Sequence, residues 1–306
     1  MEWYNAKEKS AGEKRLMITW KLYKFLGTRI VLFIAFFVSL ITYLTNKDLR
    51  KYSKKYFDIL YSFTQNKKYK PSELNTFKHI YSYAESLVYK MKVFASDFDE
   101  NKIIFNDKNA GEELFENIKN RRGSLFICNH IGNIEMLRAF LIGNKNIKPA
   151  SVSIFMQKQH CSVFNNFINK ISSNNEKVKT YPIEEIDIAT ISELDDDLKN
   201  GGIAFIAGDR ISAKNPEKHI EADFLNSKIY LPLGTFKMAK ILNCDTYFIS
   251  AIKNKIGYEV YIKKITDFDE KNLYTTYAEF IERMTLKAPY QFYHFYDVFK
   301  QTACCS

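Results

Sequence analysis

The sequence predicts an α/β fold in which helices flank a central sheet, entered through an N-terminal membrane-associated helical segment. Three observations carry this reading. Short apolar runs ending in polar loops alternate with helical patterns after residue 100, an uncharged apolar run occupies residues 30–46, and the excess positive charge is confined to the first 70 residues. The chain has 306 residues, 46% hydrophobic and 26% charged, which suffices to bury a substantial core and excludes disordered and fibrous classes. Residues 1–70 hold 15 Lys and Arg against 5 Asp and Glu, so this segment carries the whole net charge of +10. The expected division is a basic, apolar, membrane-anchoring helical region over 1–70 and an α/β domain over 71–306.

In chain order, the first element is the run IVLFIAFFVSLITYLTN, Ile30 to Asn46, bracketed by Lys21, Lys24 and Arg29 on one side and Lys47, Arg50 and Lys51 on the other. Its 17 residues stand at the lower limit for crossing a bilayer, which takes about 20. Spanning and lying in the interface both remain open. Charge on both flanks gives no orientation and favours a segment dipping into the cytoplasmic leaflet. The plain alternative is a buried core helix, against which the two Lys clusters weigh. Both tryptophans, Trp3 and Trp20, belong to this region, as suits amphipathic rings at a membrane surface. No small-x-small cleavage site follows the run, which argues against a cleaved leader.

Residues 46–94 read as helical with a break at Pro71. KIIFND is an expected strand and GEELFENIKN a helix. GSLFICN is an apolar strand, and NIEMLRAFLIG a helix closed by Gly143. ASVSIF follows as a strand, SVFNNFINK as a helix, and IEEIDIATISELDDDLKN as an exposed helix stopped at Gly201 and Gly202. GIAFIAGDR is a buried strand ending in polar residues. After an irregular stretch come helix TFKMAKIL, strands TYFISAI and YEVYIKKI, and helix LYTTYAEFIERMTLK. The five cysteines, Cys128, Cys161, Cys244, Cys304 and Cys305, show no CxxC spacing, so neither a disulfide framework nor a thiolate zinc site is expected.

Candidate chemistry gathers where the strand Ser124 to Cys128 ends at Asn129 and His130, with Glu135 in the first turn of the next helix. Open α/β sheets bind ligands at the carboxyl ends of their strands. Glu135 is expected to fold back and hold the Nδ1 proton of His130, leaving Nε2 to take a proton from a hydroxyl. GxSxG is absent, so the substrate itself is expected to bring that hydroxyl. His160 reads equally well as a helix-capping or surface histidine, and His79, His219 and His294 read as structural. A metal is not expected, because neither HExxH nor paired-His spacing occurs. Nucleic acid is disfavoured because apolar residues interrupt the basic N-terminal charge.

CNHIGNIE resembles the H-x4-D/E motif of the glycerolipid and lysophospholipid acyltransferase superfamily, in the Glu form of the late acyltransferases of lipid A. Further blocks resemble that family in order: SIFMQKQHCSVFNNFIN, GGIAFIAGDR, FLNSKIYLPLGTFKMAKILNCDTYFI and APYQFYHFYDVF. The strings from His160 to Asn165 and Gly208-Asp209-Arg210 are nearer to the group linked to aryl polyene, flexirubin-like and other lipid-conjugate pathways. The resemblance implies a central mixed sheet flanked by helices, and transfer of a fatty acyl group from acyl carrier protein or coenzyme A to a lipid or lipid-linked hydroxyl. Those thioesters would be substrates, with no resident cofactor, and membrane lipids would be partners. It implies His130 as general base and Glu135 as its orienter. Arg210 and the amides near Gly132 would meet the oxyanion or an acceptor phosphate, and Asp209 would position Arg210 or the acceptor. Gly234 would offer helix-terminal N–H groups, with Asn129 and His160 completing the substrate-binding set. The implied location is a bacterial inner membrane with the catalytic domain facing the cytoplasm. Hydrolysis of a lipid ester or thioester by the same histidine, and a non-catalytic lipid-binding relative, are the competing expectations.

Overall fold

Helix formation begins in the basic region, in a computed structural model that describes residues 13–94, 97, 99–136, 149–171, 178–211 and 214–299. Helix α1, Glu13–Thr45, is broken at Gly27, whose φ of 74° and ψ of 174° are open essentially to glycine alone. Asn46 caps α2, Lys47–Thr64, by accepting from the Leu49 amide. Helix α3, Glu73–Phe94, starts just after Pro71 and runs antiparallel to α1. The Tyr43 hydroxyl meets the Glu73 carboxylate at one end, Phe36 packs edge-on against Phe77 and Tyr81, and the Tyr23 hydroxyl donates to Asp97 at 3.0 Å at the other end. Tyr23 and Val31 of α1 and Val88 and Met91 of α3 form a small core together with Phe167 from the body. The outer face of α1 is exposed and apolar, with Phe25 89%, Phe33 65% and Leu44 64% accessible. Leu16–Thr45 is long and apolar enough to cross a membrane.

Packing crosses the boundary expected at residue 70. Tyr56, Phe57 and Leu60 of α2 lie within the main core, so α2 belongs structurally to the body.

The body alternates β1 Ile103–Phe105, α4 Lys108–Lys119, β2 Ser124–Cys128, β3 Val152–Met156, α5 Lys158–Ile171, β4 Val178–Pro182, α6 Ile188–Lys199 and β5 Ile203–Ala207. There follow β6 His219–Phe224, β7 Ser227–Pro232, α7 Leu233–Ile241, β8 Asp245–Lys253, β9 Tyr258–Lys264 and α8 Glu270–Lys287. Seven strands form one mixed sheet in the order β1-β9-β8-β2-β5-β3-β4. Every pairing is parallel except the β8/β9 hairpin. The central strands are covered on both faces, which is why β2 and β5 read as unbroken apolar runs. Leu125, Ile127, Ala204 and Ile206 enter one core, and Phe126, Cys128, Ile203 and Phe205 enter the other.

Two features depart from the expected elements. Strand β4 lies at the sheet edge and is half-buried throughout, so its residues carry no strong apolar signal. The stretch read as irregular contains the hairpin β6/β7, turning at Leu225 and Asn226 with φ of 51° and 55°. Hairpin turns of this hand normally use glycine, and its absence hides the turn. Of the helix expected at 133–143, residues 133–136 fall among the described residues, with 134–136 helical; Gly143 and the Cys304–Cys305 tail lie outside them.

Candidate active site

Strands β2 and β5 are parallel neighbours whose ends align, Cys128 opposite Ala207. Two residues beyond those ends stand His130 and Asp209, so sheet register alone brings them together. Gly208 permits the approach: a Cβ there would come within 2.7 Å of the Ile127 and Tyr277 side chains. The Gly208 amide and the Tyr277 hydroxyl both donate to the Cys128 carbonyl, at 2.9 and 2.7 Å.

Asp209 is 3% exposed and accepts three hydrogen bonds. Its Oδ1 takes His130 Nδ1 at 2.7 Å, and its Oδ2 takes the His130 amide at 2.5 Å and His294 Nε2 at 3.0 Å. Burial pushes its pKa up, but His130 and His294 outweigh burial and hold the carboxyl well below its ordinary range. Asp209 is therefore ionised and can only accept, so both ring nitrogens facing it carry protons. His130 is then the Nδ1–H tautomer, with Nε2 as its basic nitrogen. His294 is fully buried, and burial pulls its pKa down to about 4 against the pull of Asp209. It is neutral, donates from Nε2, and accepts at Nδ1 from the Tyr296 hydroxyl at 2.7 Å.

The partner expected for His130 is not the one it has. Glu135 meets Lys90 of α3, Oε1 to Nζ 2.9 Å, while the Nδ1 proton goes to Asp209. The cause lies in the loop. Gly132, at φ 76°, bridges to Ala251, where a Cβ would sit 2.1 Å from the Ala251 carbonyl oxygen. The chain thereby turns along β8 and carries Glu135 toward α3.

The same geometry reassigns two residues expected to bind substrate. Asn129 Oδ1 accepts from the Ile131 amide and the Ser250 hydroxyl, and its Nδ2 donates to the Ile249 carbonyl. The Gly132 amide donates to Gln291 and that of Asn133 to Ala251. Each amide from His130 to Asn133 is thus committed within the protein, so this loop makes no oxyanion hole. Asn129 and Gly132 hold the loop in shape.

A cavity of about 390 Å³ opens beside His130, which shares its lining with His160, Arg210 and Gly234. Much of its wall is apolar, including Phe155, Ile183, Ile206, Met238 and Ile241, while Lys218 and Lys237 add positive charge. The His130 side chain is 35% exposed. With Nδ1 turned to the buried carboxylate, the opposite ring edge bearing Nε2 is what faces outward. Gly234 lies in the first turn of α7, and Thr235 ties that turn to the end of β5 through the Ala207 carbonyl at 3.1 Å. Arg210 lies over the Tyr296 ring, 5.7 Å from its centroid.

No family model matches the sequence, and no curated protein matches it.

His130, Asp209 and His294 are metal-ligand types whose ligating atoms lie within 4.8 Å of one another. Two pairs of those atoms lie at hydrogen-bonding distance, 2.7 and 3.0 Å, the arrangement of an acid–base relay. His294 is the site residue that sequence reasoning missed. It lies in the segment after α8, beyond any periodic element, and its one signal is the aromatic block APYQFYHFYDVF around it.

Proposed function

We propose that this chain is a membrane-associated acyltransferase that moves a fatty acyl group from an acyl thioester to a hydroxyl of a lipid or lipid-linked acceptor. The observation that carries the reading is His130, paired through Nδ1 with a buried, ionised Asp209 at the edge of a largely apolar cavity. In this reading the acceptor hydroxyl gives its proton to His130 Nε2 as its oxygen attacks the thioester carbonyl. The C–S bond then breaks, and the departing thiolate recovers the proton from Nε2. Asp209 stabilises the imidazolium formed between these steps. Because the loop amides are committed, the oxyanion, or an acceptor phosphate, falls to Arg210 and to the start of α7. The donor, a thioester of acyl carrier protein or coenzyme A, is a substrate and no resident cofactor is invoked.

The ordered motifs resembling glycerolipid acyltransferases support the same reading. So does the apolar outer face of α1 beside basic residues, which suits an anionic membrane surface, here the inner membrane of a bacterium with the body on the cytoplasmic side. Membranes from expressing cells, supplied with labelled acyl thioester and a lipid extract, should yield acylated lipid. Replacing His130 by Ala should reduce the rate by about 10²–10⁴-fold. Transfer that persists unchanged in that variant overturns the mechanism. Free fatty acid as sole product, with acceptor present, identifies a hydrolase instead.

A further inference from the structure

The hydrogen-bonded chain does not stop at the carboxylate. Beyond Asp209 stand His294 and Tyr296, in the segment after α8 that laces across the loop of His130. The Gly132 amide donates to Gln291, the Tyr293 amide donates to the His130 carbonyl at 3.0 Å, and Ile131 bridges to Phe292. His294 is 2% exposed and its ring lies 4.5 Å from that of Phe292. Its two nitrogens have opposite roles. Nε2 donates to Asp209 Oδ2 at 3.0 Å, and Nδ1 accepts from Tyr296 at 2.7 Å.

We propose that His294, oriented by Tyr296, is a positioning residue for His130, a role that rests on the acyl-transfer reading only for its effect on rate. Without it, both hydrogen bonds that fix the buried carboxylate would come from His130 itself, from the amide and from Nδ1. The carboxylate and imidazole could then rotate together. The His294 donor supplies an anchor from outside the pair, and Tyr296 fixes the tautomer able to supply it. A neutral donor on Oδ2 also draws carboxylate charge away from the proton on His130 Nδ1. The charged and titratable groups around this chain are Asp209, His130 and Arg210 beside His294, His79 behind it, and Tyr277 beside Asp209.

Imidazole ¹H and ¹⁵N NMR tests this on the full chain in detergent. The wild type should show a far-downfield proton for His130 Nδ1, assigned by its disappearance in His130→Ala. In His294→Leu that signal should broaden or vanish. His294→Gln, whose amide can donate where Nε2 did, should restore the signal. In acyl transfer, His294→Leu should lower kcat about tenfold, the scale of one hydrogen bond to a charged group. KM for the thioester should stay within about twofold. A folded His294→Leu with an unchanged Nδ1 signal overturns the proposal. Should that variant fail to fold, Tyr296→Phe decides: the ¹⁵N shift of His294 Nδ1 and the His130 proton should both move, and constancy of both overturns it. If the NMR responds as expected while no acyl transfer is found, the positioning stands and the acyltransferase reading falls. If transfer proceeds without the NMR response, the acyltransferase reading stands and the positioning falls.

Discussion

At the scale of the residue, the decisive pairing is between two strand ends. Asp209→Asn keeps the size of the side chain but turns an all-acceptor group into one that can donate toward Nδ1. That favours the wrong tautomer of His130, so acyl transfer should fall on the order of 10³–10⁴-fold with the circular dichroism unchanged. Glu135→Gln should act differently. It loses one part-buried ion pair with Lys90, so it should lower stability by about 1 kcal/mol and leave the rate within a few-fold. Equal losses of activity in the two variants would contradict the assignment of Asp209 as orienter. His130 was legible because an apolar strand ended on it. Asp209 was legible as a strand-end residue, but its partner was not, because nearness along the chain favoured Glu135. What joins His130 to Asp209 is the register of β2 against β5, a relation between strands separated by more than seventy residues. His294 had no comparable signal, since no strand or helix pattern announces the segment that carries it.

At the scale of the element, the segment after α8 and helix α3 share a dependence on neutral histidines. His79 of α3 lies between the Ser53 hydroxyl and the Phe292 carbonyl, at 2.9 and 2.6 Å, and burial takes its pKa down to about 4, as it does for His294. In the unfolded chain both would titrate near 6.5. The sign follows: the unfolded state binds more protons between pH 6.5 and 4, so stability present above that window is lost on acidification. The loss should reach a few kcal/mol for each histidine, read as a urea midpoint that falls steadily from about pH 6.5 to 4. His79→Gln should flatten that dependence. A midpoint flat across the window would mean that neither ring is held neutral. The loop is equally sensitive at Gly132. Gly132→Ala would combine a positive φ with a contact against Ala251, and should cost at least about 1–3 kcal/mol in thermal or chemical unfolding.

At the scale of the whole molecule, the charge division seen in the sequence and the packing of the structure do not coincide. The basic segment includes α2, whose Tyr56, Phe57 and Leu60 complete the main core, whereas α1 attaches through α3 and shows its opposite face outward. Compositional counting could find the charge, but not which amphipathic helix would bury its stripe in the body. Phe33→Glu with Phe37→Glu, both on the exposed face, should reduce sedimentation with anionic vesicles by more than tenfold and leave the thermal transition in place, since about 1.5–3 kcal/mol accompanies burial of each large apolar side chain. Val31→Glu, by contrast, enters the small core shared with α3 and should lower the thermal transition itself. Unchanged vesicle binding in the double variant would remove α1 as the membrane contact.

The lacing of residues 291–294 over the loop of His130 also sets an order of events during synthesis. Helix α1 emerges from the ribosome before any strand of the sheet. His294 emerges 85 residues after the carboxylate it must hold. The relay therefore closes only after the strands that align His130 with Asp209 have emerged, and a nascent chain stalled before this segment would lack the outer anchor of Asp209.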